Sequence, residues 1–225
     1  MSLKKKPSPS LSLFKLLRQK LDQRLPTVRC TKATLVHLSH TLEDTILSRR
    51  IPAMIFTGFQ ESSYWQRETE RYRALAQVAQ QVCIFAGAPL PPESEATSLH
   101  VTLNGDDPLR QEWFLAILSG PFAVILCGQD CQIDTSAEAT RQFDTLWSFD
   151  PQSVNEALNL LVEVIAIYRP EQLLHLQATR TKYSIIKPDL AIITNFTMQM
   201  ICFEETLRQR YSQTVATLQQ HQEHL

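Results

Sequence analysis

The stretch Arg141-Gln-Phe-Asp-Thr-Leu-Trp-Ser-Phe-Asp-Pro151 predicts a strand that ends where a helix begins. Bulky residues alternate from Phe143 to Phe149, which is the two-residue period of a strand. Asp150 followed by Pro151 is a preferred helix start, because the carboxylate caps free N–H groups and proline fits the first helical position. Apolar residues at helical spacing come next. We therefore expect a β-strand joined directly to an amphipathic helix.

The rest of the chain divides into segments of helical and strand character. Apolar residues at helical spacing predict helices, whereas short apolar runs closed by glycine predict buried strands. Ser119-Gly120-Pro121 separates two apolar runs and predicts a hairpin turn. The predicted helices cover 11–24 (capped by Ser10), 32–49, 60–80, 171–179 and 189–222, besides the helix that starts at Pro151. The predicted strands cover 53–59, 82–85, 99–103, 112–118, 122–127 and 143–149.

The order of these segments predicts the fold class. Strands cluster in the middle of the chain with hairpin-like links, and helices lie on either side of them in sequence. This order favours an α+β fold over a doubly wound α/β fold, with a mostly antiparallel central sheet flanked by helices and a long C-terminal helix. We predict three parts: a disordered basic tail over 1–10, a compact domain with its N-terminal helix over 11–169, and a helical extension over 170–225.

Composition and cysteine usage predict a globular protein of the cytoplasm. The chain has 225 residues, of which 44% are hydrophobic and 5 are glycine. No apolar run reaches the roughly 18 residues that a membrane helix needs, and no signal-peptide pattern follows the N-terminal lysines. Five irregularly spaced cysteines argue against a secreted disulfide framework. Cys127 and Cys131 form the one close pair, and either incidental thiols or redox sensing would fit them.

Charge is unevenly distributed along the chain. Residues 1–50 hold 11 Lys and Arg against 3 Asp and Glu, whereas residues 51–225 hold 11 against 20. A basic N-terminal part can contact nucleic acid, an acidic lipid surface or an acidic partner. A solvated tail and solvated helix faces explain the same charges, and few aromatic residues lie among them. Nucleic-acid binding is therefore the less favoured interpretation.

No motif for catalysis or for a cofactor is recognisable in the sequence. A glycine-rich phosphate loop, a dinucleotide fingerprint and a nucleophile elbow are all missing. His40, Glu43 and Asp44 lie close together on one predicted helix, where they could bind a metal or form a local hydrogen-bonded cluster. We favour the structural interpretation. We thus predict no catalytic residue and no metal site, and the sequence leaves any cofactor unknown.

Aromatic and cationic residues provide the candidates for a ligand site. Aromatic side chains can line a pocket for a planar ligand, although they can equally belong to the core. Arginine guanidinium groups at such a pocket would bind phosphate or carboxylate. The candidates are Trp65, Trp113 and Trp147 with Arg71 and Arg141, and Arg110 is a further cation of the same kind.

The predicted C-terminal helix carries the candidate partner surface. Its apolar residues recur about every 3.6 positions, and a helix this long cannot bury such a stripe entirely against a small core. It either folds back on the domain or binds a second copy or another protein, and we favour the second. The residues of this candidate interface are Phe196, Met200, Phe203, Leu207, Tyr211 and Val215.

Four blocks of sequence carry a family resemblance through their order and spacing. They are Leu38-Ser-His-Thr-Leu-Glu-Asp44; Gly58-Phe-Gln60 with Tyr64 and Arg71-Tyr-Arg73; Pro108-Leu-Arg-Gln-Glu-Trp113; and Phe143-Asp-Thr-Leu-Trp-Ser-Phe-Asp-Pro151. The resemblance covers about 32–168. Over this span the chain resembles the DICT sensory domain family, in its stand-alone cyanobacterial type.

The resemblance implies a role in signalling. DICT domains are associated with diguanylate cyclases, two-component systems and helix-turn-helix regulators, and the stand-alone type implies a part in light response. The resemblance carries over no ligand and no catalytic residue. We therefore predict a non-catalytic sensory module over 11–169 that signals to another polypeptide through its helices. A ligand-free adaptor in a protein complex and a nucleic-acid-binding regulator acting through residues 1–50 are the alternatives.

Overall fold

A computed structural model describes residues 11–20, 26–90, 97–132, 138–184 and 187–223. The chain divides into two units, one ending at Asp189 and one beginning at Leu190. The predicted disordered tail over 1–10 lies outside the described residues, so it stays a prediction.

The described residues form six α-helices and seven β-strands. Most of the predicted helices and strands are present, with ends shifted by a few residues. The helices are α1 (Leu13–Lys20), α2 (Lys32–Arg49), α3 (Ser62–Ala76), α4 (Pro151–Tyr168), α5 (Leu173–Arg180) and α6 (Leu190–Glu223). The strands are β1 (Val28–Thr31), β2 (Ala53–Phe59), β3 (Gln81–Gly87), β4 (Ser98–Leu103), β5 (Glu112–Ser119), β6 (Ala123–Asp130) and β7 (Gln142–Ser148).

All seven strands belong to one mixed sheet with the order β1-β7-β6-β5-β2-β3-β4. The prediction of a mostly antiparallel sheet was wrong in this respect. β2, β3 and β4 run parallel to one another, whereas β1, β7, β6, β5 and β2 alternate in direction. The parallel pairing of β2 with β3 follows from α3, which crosses between them and returns the chain to the same end of the sheet. The Ser119-Gly120-Pro121 hairpin between β5 and β6 is confirmed.

Helices cover both faces of the sheet. α2 and α3 lie on one face, and α1 and α4 lie on the other. Both faces of the central strands are therefore covered: all seven residues of β2 and all eight of β5 are buried. Strands buried on both sides are apolar along their whole length, which explains the unbroken hydrophobic runs in the sequence.

The strand–helix junction at Asp150 is confirmed. β7 ends at Ser148 and α4 begins at Pro151. The Asp150 carboxylate accepts a hydrogen bond of 2.8 Å from the Ser153 backbone N–H, which is the expected N-cap. The apolar face of this helix then packs on β4, β5 and β6.

The start of the first helix contacts a buried carboxylate. Ser10 lies outside the described residues, and α1 begins at Leu13. The Leu13 backbone N–H donates to the carboxylate of Glu112 at 3.0 Å, and the Ser12 hydroxyl donates to the same carboxylate. Glu112 is fully buried at the start of β5. Ser12 Oγ accepts from the Lys15 backbone N–H at 3.1 Å, and Glu112, a strand residue distant in sequence, accepts from the two amides before that of Lys15.

The second unit consists of helix α6. It is 34 residues long, or about 51 Å at the usual rise of an α-helix. None of the helices in the described part of the chain has the length and apolarity required to cross a bilayer.

Candidate functional site

Polar residues of α2 and α3 form a buried network, which we call the Glu43 network. Glu43 is 1% exposed. It accepts hydrogen bonds from the Arg71 guanidinium and from the Tyr72 hydroxyl, the latter at 2.6 Å. The Tyr72 hydroxyl also lies 2.9 Å from Thr57 Oγ1. The Arg71 guanidinium also donates a hydrogen bond of 2.5 Å to the Asp44 carboxylate. The network ties two helices to strand β2.

Burial governs the electrostatics of this network. Desolvation raises the pKa of Glu43 above its usual value, even though the Arg71 charge opposes that shift. The pKa of Tyr72 is also raised, first by burial and then by the neighbouring carboxylate. Since a buried ion pair must be well hydrogen-bonded to be tolerated, the many contacts of Arg71 serve to hold Glu43 in place. Arg71, a candidate ligand residue, is thus engaged within the protein.

Trp65 and Trp113 lie together beside the Glu43 network. Both pack against the ring of Phe59, with ring centroids 5.7 and 6.2 Å apart. The Trp113 indole N–H donates to Ser39 Oγ at 3.0 Å. The space next to these rings is only about 10 Å³, which is room for at most one water molecule. Trp147, the third tryptophan candidate, is half-buried on β7 and lines neither this space nor the cleft described next.

A larger opening lies at the end of the sheet where β2 and β6 terminate, and we call it the Arg110–Arg141 cleft. Its volume is about 240 Å³. Its lining residues come from the ends of β2 and β6, the first turn of α3, a 3₁₀ turn at Pro108–Gln111, and the residue before β7. They are Gln60, Glu61, Tyr64, Arg110, Gln111, Asp130 and Arg141.

Two ion pairs line this cleft. The Arg110 guanidinium binds the Glu61 carboxylate, and its Nε donates to the backbone carbonyl of Gln60 at 3.3 Å. The Arg141 guanidinium binds Asp130 and donates to the Tyr64 hydroxyl at 2.9 Å. Burial lowers the pKa of Arg141, but the Asp130 carboxylate outweighs it, so the net shift is upward. Both guanidinium groups therefore face the cleft as permanent cations.

The position of Arg110 depends on a glycine. A Cβ atom added to Gly87, at the end of β3, would lie 2.7 Å from the Arg110 guanidinium. A side chain at that position would displace the guanidinium from the cleft. The close approach of Gly87 to Arg110 is thus part of how the cleft is built.

Gln60 has an unused hydrogen-bond acceptor in the cleft. The residue is only 4% exposed. The amide Nε2 donates to Asp130 Oδ2 at 3.4 Å, while no group among the described residues donates to Oε1. A buried acceptor without a donor costs roughly 1–3 kcal/mol. A molecule that brings an N–H or O–H to this oxygen would recover that cost.

The Pro108–Gln111 turn connects the cleft to helix α4. Asp107 caps this turn by accepting from the Leu109 backbone N–H at 3.0 Å. Its other carboxylate oxygen accepts from the Tyr168 hydroxyl at 2.9 Å. Because Tyr168 is the last residue of α4, the turn that carries Arg110 is hydrogen-bonded to the C-terminal end of this helix.

Large apolar residues are exposed on α6. Among the predicted interface residues, Leu207 is 41% and Tyr211 72% exposed, whereas Met200, Phe203 and Val215 are half-buried. Phe196, also a predicted interface residue, is buried, being 4% exposed. Exposed apolar residues in such a row are typical of a surface that binds another helix.

The cysteines and the His40 cluster show no sign of a metal site. All five cysteines are free thiols, and burial is the largest cause of the raised pKa of both Cys127 and Cys131. Such thiols carry little of the reactive thiolate at neutral pH. His40 binds Glu68 at 3.0 Å. Within the described ranges, no three His, Cys, Asp or Glu side chains are arranged to hold a metal ion.

The sequence singled out Arg110 and Arg141 but missed the other residues of the cleft. Gln60 and Tyr64 belong to a block that carried the family resemblance, which was the available signal. Glu61, Gln111 and Asp130 have no distinguishing pattern, because each lies at or near the end of a strand in a different part of the chain.

Comparison with known families gives two matches. Residues 10–130 match the DICT family, described as a sensory domain in diguanylate cyclases and two-component systems. Residues 137–225 match CHASE6_C, described as the C-terminal domain of a two-partite extracellular sensor domain. The block from Phe143 to Pro151 falls in the second match, although β7 belongs to the same sheet as β6. No significant match to a curated protein or to a solved structure was found. Since the DICT match covers more than half of the 225 residues of the chain, the chain belongs to the DICT family of sensory domains.

Proposed function

We propose that this chain is a non-catalytic sensory module that binds a small ligand in the Arg110–Arg141 cleft and signals to another polypeptide through its C-terminal helices. The hydrogen bond between Asp107 and Tyr168 is the observation that carries the proposal, since it joins the ligand-facing turn to a helix end. Membership of a sensory family supports the same role.

The proposed signal begins at Arg110. A ligand that binds the Arg110 guanidinium competes with Glu61 and with the Gln60 carbonyl, which hold the side chain in the ligand-free protein. The Pro108–Gln111 turn moves with Arg110, and the Asp107–Tyr168 bond passes the displacement to the end of α4. The ligand needs only a different affinity for two arrangements of this turn in order to shift their populations.

The proposed output surface is the row of apolar residues on α6. We favour self-association through this helix, because a helix with exposed Leu207 and Tyr211 gains by burying them against a second copy. A different protein partner is the alternative, and a ligand-free adaptor would use the same surface. We place the protein in the cytoplasm because its five cysteines are free thiols. The light response of the cyanobacterial type stays a prediction.

Hydrogen–deuterium exchange of the full chain tests the proposed route. Replacing Arg110 by alanine frees the turn, and we expect faster exchange both at 108–111 and at the C-terminal end of α4. Tyr168→Phe, which removes only the hydroxyl, should uncouple the second effect from the first. The matched control is Arg29→Gln, which breaks an exposed ion pair with Asp144 at the far edge of the sheet. If the Arg110 variant altered exchange only inside the cleft, the route through α4 would be refuted.

Light scattering of the full chain tests the output surface. Leu207→Glu places a charge in the exposed apolar row, so we expect the variant to stay folded and to lose self-association. Gln209→Glu introduces the same charge at a polar position of the same helix and should associate as the unmodified chain does. If the unmodified chain is monomeric at high concentration, self-association is excluded and a different protein partner is favoured.

A further inference from the structure

We infer that the Arg110–Arg141 cleft binds a small zwitterion, a molecule with one carboxylate and one ammonium group such as a free amino acid. This inference rests on the proposed function, because it names the class of ligand for the same cleft. It is carried by the charge balance of the cleft, by the unused acceptor of Gln60 and by the size of the opening.

The charges that line the cleft are balanced. Arg110 and Arg141 supply two cations, and Glu61 and Asp130 supply two carboxylates that already bind them. A polyanion such as a nucleotide would need surplus cations, which the lining does not offer. A simple carboxylate can bind Arg110 by displacing Glu61, but it brings no donor for the unused Gln60 oxygen.

A zwitterion brings both an acceptor for a guanidinium and donors for the Gln60 oxygen. Its carboxylate binds the guanidinium that a side-chain carboxylate gives up. Glu61 is the carboxylate that can be released, since its side chain is 50% exposed and can return to water, whereas that of Asp130 is 11% exposed. The ligand carboxylate is therefore assigned to Arg110, which has five N–H donors in a planar fork suited to it.

Gln60 and Asp130 provide the site for the ammonium group. Gln60 Nε2 donates to Asp130 Oδ2 at 3.4 Å, and both residues line the cleft. The amide oxygen is buried and receives no hydrogen bond from any described residue. An ammonium group has three N–H donors, enough to satisfy this oxygen and to bind the carboxylate in the same position.

The volume of the cleft limits the size of the ligand. Pockets for drug-sized molecules occupy about 300–1,000 Å³. The Arg110–Arg141 cleft, at about 240 Å³, is smaller than this range. A single amino acid or a molecule of similar size fits this volume, and a dinucleotide does not.

Thermal shift and calorimetry on the full chain test the inference. The twenty L-amino acids are screened first for a rise in melting temperature. The best one is then titrated beside two analogues, the amine that lacks its carboxylate and the acid that lacks its ammonium group. We expect one binding site and at least about tenfold weaker binding of each analogue, which corresponds to the loss of one charge-assisted hydrogen-bonded contact. Equal binding of either analogue, or of inorganic phosphate, would overturn the zwitterion assignment.

Gln60→Met provides the decisive variant. It removes the unused acceptor while keeping a side chain of similar length, so the ligand-free protein should melt at the same temperature or higher. Binding should weaken by about tenfold or more. The Arg29→Gln control should bind as the unmodified chain does. Unchanged affinity in Gln60→Met would contradict the inference.

A failure of the ligand class can be told apart from a failure of the proposed function. If no amino acid binds, the zwitterion is excluded. The exchange experiment on Arg110→Ala needs no ligand, so its result still decides whether the cleft communicates with α4.

Discussion

Replacing Glu112 by glutamine should stabilise the protein in a pH-dependent manner. Glu112 is fully buried, and its carboxylate caps helix α1 by accepting from the Leu13 and Phe14 backbone N–H groups at 3.0 and 3.4 Å. Burial raises the pKa of this carboxyl group from 4.5 to about 7, and the Asp107 carboxylate adds to the shift. The Ser12 hydroxyl and the two helix amides oppose it.

The sign of the effect follows from the raised pKa. Between pH 4.5 and about pH 7 the folded protein holds a proton on Glu112 that the unfolded chain has lost. The contribution of Glu112 to stability is therefore complete below pH 4.5 and is lost as the pH rises through 7. A shift of this size corresponds to about 3 kcal/mol, lost at about 1.4 kcal/mol for each pH unit.

Glutamine mimics the protonated side chain at every pH. The Glu112→Gln variant should therefore match the unmodified protein near pH 4.5 and exceed its free energy of unfolding by up to about 3 kcal/mol at pH 8. For a chain of this length, that difference is roughly 6–12 °C in melting temperature. Denaturant titrations followed by tryptophan fluorescence at half-unit steps between pH 4.5 and 8.5 measure it.

The control for this series is Glu163→Gln, which changes an exposed carboxylate on α4. Its stability should run parallel to that of the unmodified protein at every pH. Should the Glu112→Gln curve also run parallel, the carboxylate would have to be ionised in the folded protein at pH 5. The argument from burial would then be refuted.

Two further predictions concern the packing around the sheet. Gly58→Ala should destabilise the protein by roughly 1–3 kcal/mol, because the new Cβ would lie 2.2 Å from the Phe114 ring. The control is Gly120→Ala, where no atom lies within 4 Å of the new Cβ, and this variant should keep the stability of the unmodified protein. Equal melting temperatures for the two variants would contradict this prediction. Arg71→Met should destabilise the protein by roughly 3–5 kcal/mol, because it leaves the buried Glu43 without its cation. Adding Glu43→Gln should restore part of the lost stability. A double variant no more stable than Arg71→Met would argue against a buried charge as the cause.

The sequence predicted most helices and strands because their signals are local. The cap at Asp150 and the apolar runs over 53–59 and 82–85 depend only on neighbouring residues. The direction in which two strands pair is a different matter, since an apolar run is the same whether its neighbour is parallel or antiparallel. Strand β1 was missed because its four residues, Val28–Thr31, are too few and too exposed to show a period.

The candidate site was only partly predictable for a similar reason. Arg110 and Arg141 could be chosen as cations, but their partners Glu61 and Asp130 come from the ends of other strands. Only the order of the strands brings these ends together. The tryptophans were chosen for their chemistry, and the structure packs Trp65 against Phe59 in the core, where aromatic residues contribute most by excluding water.

The cap that Glu112 provides to α1 has a consequence for synthesis of the chain on the ribosome. The Ser12 and Glu112 side chains that meet there are 100 positions apart. At roughly 5–20 residues per second, the ribosome needs roughly 5–20 s to reach the second after the first. An eight-residue helix is too short to persist alone in water. The nascent chain therefore exposes Leu13 and Leu17 throughout this interval, which is when a chaperone that recognises apolar segments has its opportunity to bind.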